Sequence, residues 1–384
     1  MKDTDLLFFQ LIQLAVGQRK GLTRPPGDEE WEELFGLAKK HGIVGVLYDA
    51  AEAIVSQFSM SPVPRRVIKW YGSCQEIKRL NESFSSVCQR VDAFFHKNGL
   101  EGTILKGQGI ALLYDKPECR SCGDVDYWIY RCVDGNTRRV TTEVDVIIRK
   151  VLRLANRISH NDHHVCYHHC DLGRMNKVTV ETHWRPSWMY NPITNCRFQS
   201  WARAQVVGFQ YCSELGLTLP SRGFNLVFIL LHIYRHLFYE GIGLKQVMDY
   251  YYVLRQGCSG QERQETLKTI RSLHLVAFTR ALMWVLREVF GAPYEMLLCE
   301  PCERDGRFLL NEIMIGGAFG KSNTRLIKEQ HETYLHYSAR KIKRNFRFLR
   351  FGFMEVICTP FWRMWHCWWR MKYKFRERFG NYYP

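Results

Sequence analysis

The sequence changes character near residue 101, and this change limits the folds that the chain can adopt. Between residues 101 and 185, short apolar runs with strand character alternate with helical periodicity at residues 110–114 and 137–158. The runs cover residues 103–105, 125–130, 165–168 and 177–184. Such an alternation predicts an α/β or α+β unit.

Helical patterns surround this segment on both sides. Apolar residues recur at helical spacing in residues 6–14, 31–38, 67–96, 224–239, 244–255, 264–273 and 276–290. Asp171, Leu172, Gly173 and Arg174 predict a turn between the last two strands. We therefore expect four regions: helical residues 1–100, a core at 101–190, a helical domain at 191–332 and basic aromatic helices at 333–384.

Positive charge is concentrated at the end of the chain. The 384 residues contain 54 Lys and Arg against 38 Asp and Glu, a net charge of +16. Residues 321–384 hold 15 of these cations and 4 of the acids, which gives +11 of the total. This excess favours polyanion partners such as nucleic acid, phosphorylated ligands or anionic lipid, although a solvated helical face would look the same.

The hydrophobic fraction of 46% is typical of a globular protein and argues against a disordered chain. The longest apolar run, residues 224–234, is shorter than the ~18 residues of a membrane span. No secretory signal is recognisable at the N-terminus. We therefore expect a cytoplasmic protein whose 14 cysteines are reduced.

Two aspartates carry the strongest chemical signal. Asp124 and Asp126 are two residues apart in a predicted strand, so their carboxylates point to the same face. Like charges at such a separation are unfavourable unless a cation compensates them, and Mg²⁺ prefers carboxylate oxygens. Gly123 would allow a tight bend before the strand. An exposed edge strand or a loop is the simpler interpretation of an isolated Asp-x-Asp.

Three neighbouring features support the metal interpretation. Lys106, Gly107 and Gln108 follow a strand and enter a helix, a place where backbone N–H groups can bind phosphate. Arg120 could reach a phosphate oxygen. A later strand carries Glu181 as a third acid, with His183 on the same face, and three acids on two strands can hold metal ions for phosphoryl or nucleotidyl transfer.

Taken in order, these motifs resemble one protein family. They are Leu105-Lys106-Gly107, Leu113-Tyr114, Arg120, Gly123-Asp124-Val125-Asp126, Val180-Glu181-Thr182-His183-Trp184, and His232 and His236 followed by Leu244 and Asp249. The set is similar to the uncharacterised bacterial nucleotidyltransferase family, in the DNA polymerase beta-like nucleotidyltransferase superfamily. The resemblance spans residues 101 to about 255.

The resemblance implies an α+β fold with a small mixed sheet flanked by helices, and helical N-terminal and C-terminal regions. It implies that the catalytic and metal-binding residues are Asp124, Asp126 and Glu181. It also implies that the nucleotide is bound by Lys106, Gly107, Gln108, Arg120, His183 and His236. Gln108 departs from the Gly or Ser usual in this turn, and the bulky Tyr127 and Trp128 would narrow the pocket or stack a base.

The expected function is a nucleotidyltransferase that depends on Mg²⁺ or Mn²⁺ and moves a nucleoside monophosphate from an NTP to an acceptor. The acceptor hydroxyl or phosphate is not identified by the sequence. One alternative is a catalytically inactive protein with the same fold that binds nucleotide or polyanion. A second is a nucleic-acid-binding protein driven by the basic C-terminal region.

Other metal sites are weaker hypotheses. Imidazoles suit zinc, and six histidines occur between residues 160 and 183, but they could equally line a cleft or the surface: His160, His163, His164, His168, His169 and His183. The pairs Cys119/Cys122 and Cys299/Cys302 are too far apart in sequence for a zinc ribbon. His232 and His236, with Glu240, have helical metal spacing but more often line a cleft or a core.

Four of the 11 tryptophans lie at residues 362–369, among basic residues. Such a helix can dock its aromatic side chains on the body of the protein, lie in a membrane interface, or stack nucleic-acid bases. Docking is the interpretation that avoids exposing several Trp side chains to water.

Overall fold

The computed structural model describes residues 3–133, 140–159, 164–318 and 333–378. Several sequence predictions fall outside these ranges. They concern His160 and His163 of the histidine-rich segment, the start of the helix predicted at residue 137, and the basic residues between 321 and 332.

The described residues form fourteen α-helices and seven β-strands. The helices are α1 (Asp3–Ala15), α2 (Asp28–His41), α3 (Val44–Gln57), α4 (Arg65–Lys97), α5 (Gln108–Ala111), α6 (Val144–Ser159), α7 (Pro192–Gln205), α8 (Arg222–Tyr239), α9 (Leu244–Arg255), α10 (Gly260–Ser272), α11 (Val276–Phe290), α12 (Glu303–Gly316), α13 (Tyr334–Asn345) and α14 (Phe353–Arg378). The strands are β1 (Leu100–Ile104), β2 (Asp124–Val133), β3 (Val140–Thr141), β4 (His169–Met175), β5 (Val178–His183), β6 (Gln210–Cys212) and β7 (Leu217–Leu219).

The predicted fold class is confirmed. The protein is α+β, with a small mixed sheet of five strands and with helices toward both ends of the chain. The chain divides into two compact units. The helical unit comprises Met1–Glu82, Ile110–Cys122 and Asn225–Gly352, and the sheet unit comprises Ser83–Gly109, Gly123–Phe224 and Phe353–Pro384. The division into four regions stays a prediction.

Within the helical unit, α1 packs against α2, α3 and α11, and α11 packs against α9 and α12. The core is rich in large side chains, and the indole nitrogen of the buried Trp70 donates to the backbone oxygen of Val44 at 2.7 Å. An acceptor for the N–H offsets the cost of removing the indole nitrogen from water. Gly42, with φ of +71°, ends α2 in the left-handed conformation that glycine adopts without strain.

The sheet of the sheet unit has the strand order β1-β2-β5-β4, with β3 paired to β2. β2 and β5 are parallel, whereas β1 is antiparallel to β2 and β4 is antiparallel to β5. The register places Asp126 opposite Glu181 and Trp128 opposite His183. Because alternate residues share a face, the acids and histidines of neighbouring strands come to one side of the sheet.

The prediction of a strand at residues 165–168 was wrong. Val165 makes only an isolated bridge, and the strand β4 runs through the segment predicted as a turn. The turn of this hairpin lies instead at Asn176 and Lys177, whose φ angles are +49° and +69°. Positive φ at two successive residues is the geometry of a tight two-residue hairpin. Gly173, with φ of +83°, lies where the β4–β5 register shifts, so this glycine serves a bulge.

Most helix predictions agree with the structure. The helices predicted at residues 244–255 and 276–290 coincide with α9 and α11, whereas α6 begins only at Val144 and α5 ends at Ala111. Among the described helices, none is both long and apolar enough to cross a membrane. All 14 cysteines are free thiols.

Candidate active site

Three carboxylates meet on one face of the sheet unit. Asp126 on β2 pairs in register with Glu181 on the parallel strand β5, and Asp124 lies on the same face two residues before Asp126. The side chain of Asp126 is 3% exposed, whereas 29% of Asp124 and 26% of Glu181 remain exposed. We call these three residues the carboxylate cluster. It offers two partly exposed acids beside one that is buried.

Lys106 supplies the nearest cation. Its Nζ lies 3.0 Å from Oδ2 of Asp126 and 4.0 Å from Oδ1 of Asp124. The backbone N–H of Leu105 donates to the backbone oxygen of Asp126 at 3.0 Å, so the strand end that carries Lys106 is fixed beside the acids. Gly107 follows with φ of +62°, a conformation that favours glycine. The turn therefore directs the lysine toward the carboxylate cluster.

His183 is the second cation beside the acids. Its Nε2 lies 3.0 Å from Oδ1 of Asp126 and 3.5 Å from Oε2 of Glu181. Burial lowers the pKa of His183, but hydrogen bonds with both carboxylates outweigh burial and raise it to about 9. The imidazole is therefore protonated at neutral pH in the absence of another cation.

The charges in this cluster stabilise each other. Burial raises the pKa of Asp126, but the charge of Lys106 and the hydrogen bond with His183 overcome it and leave the pKa below its usual value. Burial lowers the pKa of Lys106, and the charges of the three carboxylates reverse this effect and raise it. The repulsion expected between Asp124 and Asp126 is thus offset by protein cations as well as by any bound metal.

The strand β4 adds two residues that the sequence analysis did not assign to the site. In the register with β5, His169 lies opposite His183 and Asp171 lies opposite Glu181. Nε2 of His169 is 3.1 Å from Oδ1 of Asp171 and 3.9 Å from Oε2 of Glu181. Burial lowers the pKa of His169, but its hydrogen bond with Asp171 leads the effects that raise it to about 9.

The residues of this face fit a divalent cation. Asp126, Glu181 and His183 each offer one ligand atom, and these three atoms lie within 4.8 Å of one another. His169, Asp171 and Glu181 form a second group with the same property. Nδ1 of His183 is buried without a hydrogen-bond partner among the described residues. Carboxylate oxygens suit Mg²⁺, and a set that includes imidazole also accepts Mn²⁺.

The histidine-rich segment forms a real cluster. His168, His169 and His183 offer ring nitrogens within 4.8 Å of one another, and Nε2 of His168 is 2.9 Å from Nδ1 of His169. Adjacent residues within a strand point to opposite faces of the sheet. Because His168 lies just before β4, this alternation does not apply to it, and its ring can lie beside that of His169. The zinc site stays a hypothesis.

Other predicted residues of the sheet unit have local partners. The amide nitrogen of Gln108 donates to Oγ of Ser85 at 2.8 Å. Gly123 lacks the positive φ that would require glycine, so the bend expected there does not depend on it.

The aromatic pair after the acids belongs to the core. Tyr127 is buried, stacks on Phe95 and donates its hydroxyl hydrogen to Oδ1 of Asp92 at 2.8 Å. Trp128 is also buried and stacks on Phe224, with ring centroids 5.8 Å apart. Neither ring is exposed to stack a base, so that expectation was wrong.

Arg120 lies in the helical unit, where it forms a bidentate ion pair. Its Nε and Nη2 donate to the two carboxylate oxygens of Asp249, each at 2.7 Å, and the hydroxyl of Tyr114 donates to the same carboxylate at 2.6 Å. The amide of Asn81 donates to the backbone oxygen of Arg120. The structure thus gives Arg120 a carboxylate partner where the sequence analysis expected a phosphate.

His236 also lies in the helical unit. It is buried on α8, its Nδ1 is 2.5 Å from Oε1 of Glu240, and its ring contacts that of His232. Burial raises the pKa of Glu240, but His236 reverses this effect and lowers it. Among the described residues, the groupings that could hold a metal include none of the cysteines in the two Cys-x-x-Cys pairs.

A comparison with protein families gives one finding about this chain. Residues 27–291, more than half of the chain, match the family described as uncharacterised nucleotidyltransferase. The match confirms the resemblance drawn from the motifs, while bacterial origin and the polymerase beta-like superfamily stay predictions. Searches of the curated proteins and of the solved structures find no match.

Proposed function

Because this chain belongs to the uncharacterised nucleotidyltransferase family, we propose that it transfers a nucleoside monophosphate from an NTP to an acceptor hydroxyl or phosphate. The reaction releases pyrophosphate. We propose the cytoplasm as its location, as expected from the sequence. The role in nucleotidyl transfer follows from the family, whereas the metal, the acceptor and the residue roles are parts of the proposal.

The observation that supports this function most is the register of β2 and β5. It brings Glu181 directly opposite Asp126, with Asp124 on the same face. Three carboxylates from two adjacent strands would hold Mg²⁺ or Mn²⁺, which would neutralise the triphosphate and stabilise the charge that develops on the transferred phosphoryl group. In this proposal Asp124, Asp126 and Glu181 are the ligands.

The surrounding residues would position the substrate. Lys106 already lies against the acids and would neutralise phosphate oxygens as the NTP binds. The turn at Gly107 and Gln108 would offer backbone N–H groups to the phosphates, since it opens α5. His183 would orient Asp126 and Glu181 through its contacts with both. Arg120 and His236 stay predictions as nucleotide ligands.

Glu181 would serve as the base when the acceptor is a hydroxyl. Burial raises the pKa of Glu181, but its hydrogen bond with His183 and the charges of nearby imidazoles overcome this effect and lower the pKa below its usual value. The carboxylate of Glu181 is therefore ionised at neutral pH. The acceptor oxygen attacks the α-phosphorus, and the bond from the α-phosphorus to the oxygen bridging to the β-phosphate breaks. Pyrophosphate leaves, and the hydroxyl proton goes to Glu181.

The test is incubation of the protein with α-labelled NTPs and a panel of acceptors, with Mg²⁺, with Mn²⁺ and with chelator. We expect metal-dependent labelling of an acceptor and release of pyrophosphate. Glu181→Gln should lower the rate of labelling by about 10²-fold or more, and Glu143→Gln, which removes an exposed carboxylate of the same unit, should leave it unchanged.

The alternative is a catalytically inactive protein that binds nucleotide or polyanion. It would bind NTP in the same buffers without transferring label to any acceptor. Retention of full labelling by Glu181→Gln would refute the role proposed for this residue.

A further inference from the structure

The helix α14 carries a row of exposed apolar side chains. They are between 37% and 65% exposed, and they are Phe353, Met354, Ile357, Phe361, Met364, Trp365, Trp368 and Met371. Their spacing of three and four residues keeps them on one side of the helix, within an arc of about 120°. We call this row the apolar stripe. Exposed apolar residues are ordinary when isolated, but a continuous row on one helix face marks an interaction site.

The opposite face of α14 holds the helix in the sheet unit. Both carboxylate oxygens of the buried Glu355 accept backbone N–H groups, from Tyr190 at 2.7 Å and from Asn191 at 2.9 Å. Further along, Trp362 stacks on Trp188 with ring centroids 4.2 Å apart and an interplanar angle of 2°. The docking predicted for the tryptophans thus describes Trp362, and the rings of Trp365 and Trp369 also contact that of Tyr167, at centroid distances of 5.4 and 6.5 Å. The apolar stripe lies on the side of α14 away from Glu355, with the partly exposed Trp365 at its edge.

The charge of α14 is positive. Residues 353–378 contain six Lys and Arg against two Glu, and one of these acids is the buried Glu355. The cations are concentrated near the C-terminal end, from Arg370 to Arg378, beyond most of the apolar stripe. An apolar face joined to a cluster of cations is the pattern of a helix that lies in the headgroup region of an anionic bilayer.

We propose that the apolar stripe of α14 docks this protein on the surface of an anionic lipid membrane. The helix lies along the interface instead of crossing it, since no described helix is apolar enough to span a bilayer. Phe361 and Met364 enter the boundary of the acyl chains, and the net positive charge of the helix attracts it to the anionic headgroups. This proposal is independent of the proposed nucleotidyl transfer.

The chemistry of the stripe favours lipid over the other occupants. Six of its eight side chains are Ile, Met or Trp, the other two are Phe, and none is charged, whereas a nucleic-acid surface presents Lys and Arg to the phosphates. A parallel two-fold contact with a second copy would bring the C-terminal ends of two α14 helices, and their positive charge, toward each other, which is unfavourable. An antiparallel contact would avoid this repulsion, and the test below includes self-association as an outcome. Anionic lipid satisfies the apolar and the charged parts together.

The test is flotation of the full-length protein with phosphatidylcholine vesicles and with vesicles of phosphatidylcholine and phosphatidylserine at 7:3. We expect binding to the anionic vesicles, weakened but not abolished by high salt, because screening removes the electrostatic part alone. Lipids brominated on the acyl chain should quench Trp fluorescence in the wild-type protein. This readout needs no variant.

A matched pair of variants separates the stripe from the overall charge. The stripe variant is Phe361→Ser, Met364→Ser and Met371→Ser. The control is Ile193→Ser, Val207→Ser and Tyr211→Ser, which removes three exposed apolar side chains elsewhere in the sheet unit. Neither changes the net charge. We expect at least a tenfold loss of vesicle affinity in the stripe variant and none in the control.

Three outcomes would overturn the proposal. The first is equal vesicle binding by both variants, which would make the attraction a matter of net charge. The second is concentration-dependent self-association in sedimentation velocity that only the stripe variant loses, without vesicle binding, which would assign the stripe to a second copy. The third is RNA binding that depends on the stripe, with no quenching by brominated lipid.

Discussion

Two groups of buried charges in this protein differ in how completely they are satisfied. In the helical unit, Arg120 and Asp249 form a bidentate pair with both distances at 2.7 Å, and Tyr114 adds a third hydrogen bond. In the sheet unit, the carboxylate cluster has three acids, contacts of 3.0–4.0 Å and two members that remain partly exposed. Arg120 and Asp249, here called the closed pair, satisfy each other fully, which favours a structural role. The carboxylate cluster, here called the open cluster, is only partly paired and leaves oxygens for a ligand.

The largest expected effect breaks the closed pair. Arg120→Met should lower the free energy of unfolding by about 3–5 kcal/mol, because it leaves the carboxylate of Asp249 buried without its cation. Urea denaturation followed by circular dichroism measures this loss. Arg307→Met is the control, since Arg307 pairs with Glu303 at the same 2.7 Å but on the surface, where such pairs contribute less than ~1 kcal/mol.

A second variant decides what the closed pair contributes. Arg120→Met combined with Asp249→Leu should recover part of the lost stability, because it removes both charges together. If Arg120→Met alone leaves stability unchanged and instead weakens NTP binding, Arg120 belongs to the nucleotide site and the comparison above fails.

The next effect concerns the open cluster. Glu181→Gln should lower kcat for nucleotidyl transfer by about 10²–10³-fold and change NTP affinity much less, since the base acts mainly in the transition state. Steady-state kinetics with a labelled NTP separates the two constants. A rise in KM with an unchanged kcat would mean that Glu181 only helps to bind the substrate.

A third buried ionisable group, Glu355, should make the stability of the protein depend on pH. Burial raises the pKa of Glu355 to about 7 from its usual 4.5, although backbone N–H groups of Asn191 and Tyr190 favour the ionised form. The folded state then binds more protons than the unfolded state between these values. Stability should therefore fall as pH rises from about 4.5 to 7, by about 3 kcal/mol at most.

Thermal unfolding across this pH range, in wild type and Glu355→Gln, isolates the contribution of Glu355. The stability of the wild type relative to Glu355→Gln should fall as the pH rises from about 4.5 to 7 and should stay constant above pH 7. A constant difference would show that Glu355 keeps an ordinary pKa.

The smallest effect concerns the turn that holds Lys106 at the open cluster. Gly107→Ala should cost about 1–2 kcal/mol, because φ of +62° disfavours a residue with a Cβ, whereas the space around that atom is sufficient. Gly123→Ala is the matched control, with open space and no positive φ, and should be nearly neutral. Equal costs in urea denaturation would mean that the turn before the carboxylate cluster does not need glycine at position 107.

The sequence predicted the parts of the fold that local patterns encode. Helices such as α9 and α11 have uninterrupted apolar spacing, and Asp126 and Glu181 lie on strands whose alternation is clear. The hairpin of β4 and β5 was misplaced because Asp171 and Gly173 suggest a turn by composition, whereas the actual turn depends on positive φ at Asn176 and Lys177.

That misplacement also hid part of the site. Once β4 is extended through Asp171, strand alternation and pairing with β5 place His169 and Asp171 beside Glu181. By contrast, no local pattern could have predicted the partner of Arg120, because Asp249 is 129 residues away in sequence. The buried position of Glu355 depends on packing against Tyr190 and Asn191, which is equally remote in the chain.

The most direct test of the carboxylate cluster is calorimetric titration with Mn²⁺ and a non-hydrolysable NTP. The wild-type protein should bind the NTP in a metal-dependent way, and Asp124→Asn combined with Asp126→Asn should lose this binding while remaining folded. Asp145→Asn, an exposed acid of the same unit, should bind like the wild type. Equal metal-dependent binding by the double variant would contradict the account.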